Sequence, residues 1–239
     1  EPRPAPREAE DAASAAPCAT LRAAFDLWPH PQVWCLSLTN LTFGLCTGYM
    51  NGVVNGEFAA KSPKFGEASI GTLMALTSLL AAGCALLLGR LARRAGKGLV
   101  LGLGGLAFAC IPLGVLGARP GPANGYWSWG LLAPYALQGV GRSVYEGTNR
   151  SAFADFFRGE KGAGAFANSM TQSGLAFFAS FALQACLAPR ALDRVLAGLI
   201  VSLAALTVPA YVLAWSTRRR ASLELAAAAT GALALATAL

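Results

Sequence analysis

The sequence predicts an all-α membrane protein built as a six-transmembrane-helix bundle. Of its 239 residues, 55% are hydrophobic and only 13% are charged, whereas a soluble chain of this length needs more charged residues on its surface. The charges gather in short clusters, and the apolar runs between them have about twenty residues each, which is enough to cross a bilayer. Pro, Gly and charged residues fill the gaps between the runs, as is typical of loops.

The apolar runs divide the chain into three predicted parts. Six runs are long enough to span the membrane as helices, and they cover residues 32–54, 69–88, 99–118, 129–149, 165–187 and 195–215. Residues 1–31 are rich in Pro and Ala without an apolar signal core, which indicates a disordered or linker tail. Residues 32–215 form the predicted membrane domain. Residues 216–239 are expected to form a basic stop and an Ala-rich tail, since alanine is only weakly apolar.

Lys and Arg are distributed unevenly between the two sides of the predicted bundle. The amino tail, the second and fourth loops and the carboxyl end are rich in them, as shown by Arg93, Arg94 and Lys97 in the second loop. The other loops hold fewer, so the positive-inside rule predicts that both termini are cytoplasmic. Topology therefore explains the net charge of +7. No aromatic-interleaved basic groove accompanies it, and we expect no nucleic acid partner.

Polar residues fall on some predicted spans and not on others. The third and sixth spans are almost wholly apolar and are expected to face lipid, whereas the first, fourth and fifth carry polar stripes at helical spacing. The second span has a milder stripe. The three stripes consist of Asn40, Gly44, Thr47, Asn51 and Asn55 in the first span, Gln138, Arg142, Tyr145 and Asn149 with Glu146 beside them in the fourth, and Asn168, Gln172 and Ser173 in the fifth.

Two of these residues, Arg142 and Glu146, carry charge inside a predicted span. An ionised side chain at the centre of a bilayer costs about 3 kcal/mol or more unless it is paired or faces water, so such residues indicate function. The two lie one helical turn apart and could form an ion pair that clasps the bundle. Contact with a substrate or ion is the other interpretation, and the two are compatible.

The uncharged stripe residues also have two interpretations. Asn, Thr and Gln join membrane helices through hydrogen bonds of about 1 kcal/mol each. They also line solute pathways, and three striped helices in one domain favour a pathway. The predicted substrate or ion pathway comprises Asn40, Thr47, Asn51, Gln138, Arg142, Tyr145, Glu146, Asn149 and Gln172.

No motif indicates catalysis or a bound cofactor. The chain has no P-loop and no nucleophile triad, and its predicted spans contain no His or Asp, which intramembrane proteases and acyltransferases usually place there. The only histidine, His30, precedes the first span, and the six cysteines lie far apart without a CxxC pair, so no metal site is expected. We predict that the protein is not an enzyme and uses no cofactor.

The loop after the second span carries a motif with a family resemblance. Residues 89–97 read GRLARRAGK and resemble the cytoplasmic loop signature G-x-L-x-D-R-x-G-R of the major facilitator superfamily. The matching positions are Gly89, Leu91, Arg94, Gly96 and Lys97. Arg93 stands where the signature has an acidic residue, which in the family helps to latch the cytoplasmic side.

The resemblance implies a fold and a partner. Members of the superfamily have two six-helix halves, and in each half the first, second, fourth and fifth helices line a central cavity while the third and sixth lie outside. The polar pattern of this chain agrees with that division. Residues 139–157, GVGRSVYEGTNRSAFADFF, resemble the tenth helix of Unc-ninety-three-like members, and the first span is also similar to that branch. The chain would then be a carboxyl-terminal half, with an amino-terminal six-helix half or a second copy as its partner.

The resemblance also implies a function, which is transport of a small solute or ion across a lipid bilayer by alternating access. An alternative is a non-transporting regulatory or trafficking subunit of a channel or receptor, because the Unc-ninety-three-like branch includes such proteins. A third interpretation is a truncated or split product without activity of its own, since a lone half lacks the opposing wall of the cavity.

The predicted topology can be tested with reporter fusions. Fusions after Lys97 and after Arg218 should report the cytoplasm, whereas a fusion after Arg119 should report the opposite side, because successive loops alternate across the membrane. The measurement is the activity of a reporter that works on one side only. A cytoplasmic signal from the Arg119 fusion would show that the span assignment is wrong.

Overall fold

A computed structural model describes residues 22–159 and 161–238, and helices joined by short turns and irregular segments make up this part of the chain. No strand occurs in these residues, so the all-α prediction is confirmed. The α-helices are α1 (Pro31–Tyr49), α2 (Ile70–Ala95), α3 (Lys97–Gly117), α4 (Leu132–Ser143), α5 (Arg150–Phe156), α6 (Lys161–Cys186) and α7 (Pro189–Ala238). Between them lie the π-helices Met50–Ala59 and Val144–Asn149 and the 3₁₀-helices Glu67–Ser69 and Pro122–Leu131.

Three helices in the described part are long and apolar enough to cross a membrane, judged by length and composition. They are Glu67–Ala95, Lys97–Gly117 and Pro189–Arg220, which correspond to the second, third and sixth predicted spans. The first, fourth and fifth predicted spans also fall on helical segments, but their polar stripes make them less apolar. On these criteria, three of the six predicted spans are supported.

Two predicted spans belong to helical segments that continue beyond the predicted end. The first span continues from α1 through the π-helix Met50–Ala59. The fourth continues from α4 through the π-helix Val144–Asn149 into α5, and we call residues 132–156 the fourth segment. Past residues 54 and 149 the share of apolar residues falls, although the helical backbone continues. A span end assigned from hydropathy therefore comes before the end of the helical segment. The predicted boundary at residue 216 likewise falls inside α7, which is one continuous helix.

The end of the predicted tail packs against the helical domain. Residues 22–25 are helical, Leu27 is buried, and the indole N–H of Trp28 donates to Asn168 Oδ1 of α6 at 2.8 Å. Asn168 Nδ2 in turn donates to the carbonyl oxygen of Ala24 at 2.8 Å. Residues 22–30 are thus part of the fold, and the rest of the predicted tail lies outside the described residues.

Helix α1 lies at the centre of the fold. It packs along α6 and α7 and also contacts α3, α4 and the π-helix Val144–Asn149. Tyr49, Met50 and Val54 are buried in the main apolar core. Because α1 is surrounded on nearly every side, its polar stripe must find hydrogen-bond partners within the protein.

Two glycines allow α1 and α6 to approach closely. A methyl group added at Gly44 would lie 2.2 Å from the carbonyl oxygen of Ser173, and one added at Gly48 would lie 2.4 Å from Cβ of Ser180. Small residues are typical of such crossings, because lipid supplies no hydrophobic driving force between helices and close packing must hold them together. Gly44, which the sequence places on the polar stripe, therefore provides a backbone contact.

Helix α3 is packed on one face and exposed on the other. Gly104 and Gly105 allow close contacts with Val144 of the fourth segment and Ala204 of α7. The opposite face exposes Leu99, Leu103, Leu106 and Leu113. Only the leucine face of the third span is thus exposed, and its glycine face packs against other helices. The buried share of its apolar window is 56%, against 17% for α2, because small residues let neighbouring helices cover α3.

The contact between α1 and α6 leads to a prediction about stability. Gly44→Ala should lower the free energy of unfolding by about 1–3 kcal/mol, because the added methyl overlaps the Ser173 carbonyl and forces the helices apart. Gly83→Ala in α2 is the matched control, since no atom lies within 4 Å of its added methyl. The control should be neutral or slightly more stable. Thermal unfolding in detergent measures both variants, and equal stability would contradict the close contact.

Candidate functional site

The polar stripe of α1 meets the fourth segment and α6 in a buried cluster. Asn40 is fully buried and accepts hydrogen bonds from Asn149 Nδ2 at 2.7 Å and from Ser169 Oγ at 3.0 Å. Its own Nδ2 donates to Gln172 Oε1 at 2.7 Å. We call Asn40, Asn149, Ser169 and Gln172 the amide cluster. Three predicted pathway residues are thus brought together, and Ser169 is an addition that the sequence stripe missed.

The amide cluster retains unused hydrogen-bonding capacity. Asn149 Oδ1 and Gln172 Nε2 are buried and have no hydrogen-bond partner among the described residues. A buried polar atom without a partner costs about 1–3 kcal/mol. The cluster therefore joins three helical segments while one acceptor and one donor stay unpaired within the described residues.

Tyr145 lies buried between α1 and α6. Its ring stacks on Phe43 with the centroids 3.9 Å apart and the planes 7° from parallel, and its hydroxyl lies 3.0 Å from Ser173 Oγ. The guanidinium carbon of Arg150 lies 5.7 Å from the centroid of the same ring. These contacts fix Tyr145 within the packing between helices.

Thr47 and Gln138 face each other one level further along α1. Gln138 Nε2 donates to Thr47 Oγ1 at 3.1 Å, and Cys46 Sγ donates to Gln138 Oε1 at 3.3 Å. Both ends of the Gln138 amide are therefore bound by α1. No sequence signal marks the bond of Cys46 to Gln138.

Asn51 contributes to a third polar contact, on the π-helix that follows α1. Its Oδ1 accepts a hydrogen bond from Asn55 Nδ2 at 3.2 Å, and Asn55 Oδ1 accepts one from the Tyr135 hydroxyl at 2.5 Å. Tyr135 was not among the predicted pathway residues. It lies three residues before Gln138, so the polar stripe of the fourth span extended one turn earlier would have found it.

Arg142 and Glu146 form the predicted i, i+4 ion pair. Arg142 Nε lies 2.9 Å from Glu146 Oε1, and Arg142 Nη1 donates to Ser78 Oγ of α2 at 3.3 Å. The two side chains are 36% and 41% exposed, so neither is enclosed by the helices around it. Unlike the amide cluster, this pair lies at an open surface between α2 and the fourth segment.

Two cavities meet at that surface, and they share Ala85, Ser143 and Gly147. The first has a volume of about 230 Å³ and is lined by Ser78, Arg142 and Glu146 together with the shared residues. The second has a volume of about 430 Å³ and is lined by Gly89, Arg93, Lys97, Thr148 and Ser151 together with the shared residues. We call them the Arg142 cavity and the Arg93 cavity, and together the α2 cleft.

The loop motif contributes to the α2 cleft unequally. Gly89, Arg93 and Lys97 line the Arg93 cavity, whereas Arg94 and Gly96 do not. Gly96 has a φ of 93° and separates α2 from α3, a conformation that favours glycine. Lys97 Nζ lies 2.5 Å from Asp155 Oδ2, and it also donates to Ser151 Oγ at 2.6 Å. This ion pair joins the start of α3 to α5.

A buried carboxylate lies near the other end of α3, outside the predicted pathway. Asp193 of α7 forms an ion pair with Arg119, and the Tyr49 hydroxyl donates to its Oδ1 at 3.4 Å. Asp193 is buried and lies inside the apolar helix Pro189–Arg220, two residues before the predicted sixth span. The predicted sixth span began at residue 195, because Arg190, Asp193 and Arg194 interrupt the apolar run.

The sequence matches a family model over most of its length. The model is described as Major Facilitator Superfamily and matches residues 1–180. This range includes residues 89–97, the amide cluster and the pair Arg142 and Glu146. No curated protein and no solved structure matches the chain. Within the described residues, no group of three or more His, Cys, Asp or Glu is placed to hold a metal ion.

The amide cluster predicts energetic coupling between helices. Asn40→Ala and Asn149→Ala should each lower stability, and the double variant should lose about 1 kcal/mol less than the sum, because either change already breaks the shared hydrogen bond. Thermal or denaturant unfolding of the four proteins gives the coupling energy. Asn40→Ala combined with Asn55→Ala is the control and should be additive within about 0.5 kcal/mol. Zero coupling between Asn40 and Asn149 would contradict the cluster.

Proposed function

The chain belongs to the major facilitator superfamily, and we propose that it moves a small solute or ion across a membrane by alternating access. Family membership supports an integral membrane protein with a transport function and gives no support to an enzyme. The three apolar helices fit a protein embedded in a lipid bilayer. We also propose which residues form the pathway, which kind of solute they contact and which partner completes the domain.

The proposal includes all six predicted spans. Residues 31–59, the fourth segment and α6 would cross the membrane beside the three apolar helices, with their polar stripes covered by one another. Helix α2 leaves Leu79, Leu86 and Leu87 exposed, and α6 leaves Leu175 and Phe178 exposed. These surfaces are available to an amino-terminal half of the Unc-ninety-three-like type or to a second copy, which would supply the opposing wall. Both termini would then lie in the cytoplasm.

We assign the predicted pathway residues to two roles. Asn40, Thr47, Gln138, Asn149 and Gln172 bond to one another across helix boundaries, and Tyr145 is packed against Phe43. These residues would position the helices around the pathway. Arg142 and Glu146 face the α2 cleft and would contact the solute. Asn51 is half-buried, and its bond to Asn55 places it with the positioning residues.

The observation that carries this proposal is the exposure of a charged pair on the fourth segment, where the other stripe residues Gln138, Tyr145 and Asn149 are buried. A charge on a membrane helix is costly unless it faces water, so Arg142 and Glu146 favour a water-accessible pathway. The π-helix Val144–Asn149 lies in the same stretch, and π-helical turns occur often at functional sites.

The geometry of Arg142 suggests how a solute would bind. A guanidinium has five N–H donors, and Arg142 directs Nε to Glu146 and one Nη to Ser78. Arg142 lines the Arg142 cavity, where a carboxylate or phosphate of the solute would compete with Glu146 for the same cation. This competition changes the pairing in the cleft and provides a link between binding and movement.

A charge exchange separates solute contact from a structural clasp. Arg142→Ala should lower flux in reconstituted vesicles by about tenfold or more, as expected for loss of a charge-assisted hydrogen bond to the solute. The double variant Arg142→Glu with Glu146→Arg rebuilds the ion pair in reverse, so it should recover stability without recovering flux. Flux is measured with the solute found by screening the reconstituted wild type.

The matched control is the other exposed i, i+4 pair in the described chain. Glu57 and Lys61 are 2.6 Å apart and do not line the α2 cleft, so Glu57→Lys with Lys61→Glu should leave flux unchanged. Recovery of flux in the Arg142 and Glu146 exchange would show that the pair is only a clasp. Binding to a channel or receptor, without flux for any solute, would favour the alternative of a regulatory or trafficking subunit.

A further inference from the structure

The Arg93 cavity contains a cation that the protein does not neutralise. Arg93 lines this cavity, and its Nη1 reaches within 3.9 Å of the position a methyl group at Gly89 would occupy. No hydrogen bond or ion pair joins Arg93 to another residue of the described chain. Lys97, the other cation of the cavity, is paired with Asp155. The cavity therefore carries an excess of positive charge that Asp155 does not balance.

Hydroxyl groups in the wall of the same cavity also lack partners. Ser143 is 3% exposed, and its Oγ is buried without a hydrogen-bond partner among the described residues. A buried hydroxyl without a partner is unfavourable, so Ser143 points to a molecule that would accept its hydrogen bond. Thr148 lines the same cavity, and no hydrogen bond joins it to the rest of the described chain, so its hydroxyl is a second donor in this wall.

The start of α3 adds a further positive contribution. This helix has 21 residues and begins at Lys97, in the wall of the cavity, and no side chain caps its first turn. The free N–H groups of a helix start carry partial positive charge and favour anions. Guanidinium groups and helix starts both bind phosphate in proteins, and hydroxyl donors add hydrogen bonds to it.

We propose that the Arg93 cavity binds a phosphate-bearing anion, with Arg93 as the main cation and Ser143 and Thr148 as hydroxyl donors. The sign of the charge follows from Arg93, which occupies the place of the acidic residue in the loop signature and so makes this end of α2 attractive to anions. The volume of about 430 Å³ accommodates more than inorganic phosphate alone. The phosphate can therefore belong to a soluble phosphate ester or to the headgroup of an anionic phospholipid.

Titration of the purified protein with inorganic phosphate tests the site. Phosphate should raise the midpoint of thermal unfolding at constant ionic strength, where chloride serves as the reference anion. Arg93→Gln should weaken phosphate binding by about tenfold, since it removes a charge-assisted hydrogen bond. Ser143→Ala should weaken it less, because it removes a neutral hydrogen bond. Arg93 is exposed, so neither folding nor packing depends on its side chain.

Arg90→Gln is the matched control. Arg90 is exposed on the same helix and carries the same charge but does not line the cavity, so its variant should bind phosphate as the wild type does. Equal weakening in the Arg90 and Arg93 variants would overturn the proposal, since it would indicate a general charge effect. Absence of a phosphate-specific shift in the wild type would also overturn it.

Two further arms identify the source of the phosphate. In nanodiscs of phosphatidylcholine, glycerol 3-phosphate should raise the unfolding midpoint if the site takes soluble esters. In nanodiscs that also contain phosphatidylglycerol, the unfolding midpoint is measured without added ester. A higher midpoint for the wild type that is lost in Arg93→Gln indicates a lipid headgroup. Either Arg93-dependent result supports the site, and a rise that survives Arg93→Gln in both arms contradicts it. Binding is measured without flux, so this inference and the transport proposal can fail separately.

Discussion

The fold depends on the need to satisfy the polar side chains of its central helix. Helix α1 is covered by α3, α4, α6 and α7, and in an apolar environment an amide without a partner is costly. Asn40 meets this need by bonding to the fourth segment and to α6 at once. Such bonds require short distances between helix backbones. Gly44 and Gly48 provide those distances, so the glycines and the amides act together to fix the position of α6 on α1.

The same constraint divides the polar residues into a closed set and an open set. The closed set consists of amides and hydroxyls that bond to each other across helix boundaries, and their hydrogen bonds give the helices a defined register. The open set is Arg142 and Glu146, which lie at the α2 cleft although they belong to the same helical stripe as Gln138 and Asn149. Along one stripe of the fourth segment, Gln138 and Asn149 are therefore enclosed by other helices, whereas Arg142 and Glu146 are exposed at the α2 cleft.

Ion pairs hold α3 at both of its ends. Lys97 at its start is paired with Asp155 of α5, and Arg119 just beyond its end is paired with Asp193 of α7. Exposed pairs contribute little to stability, but Asp193 is buried, and loss of Arg119 would leave an uncompensated charge there. The two ion pairs oppose movement of α3 along its own axis. Packing of its glycine face against the neighbouring helices opposes movement perpendicular to that axis. The Arg93 cavity is built around one of these fixed ends.

The sequence by itself determined the helical class, the approximate positions of six helices and the stripes that carry polar residues. Those features depend on local composition and on a repeat of 3.6 residues, which a chain displays without folding. The i, i+4 spacing also predicted the pair of Arg142 and Glu146 correctly. Tertiary structure decided which side of each stripe is covered, so that Asn40 and Gln172 became partners while Arg142 stayed open. It also revealed Tyr135, Ser169 and Asp193, whose partners are distant in the chain. Spacing along one helix cannot show contacts between helices, because their relative rotation is set by packing.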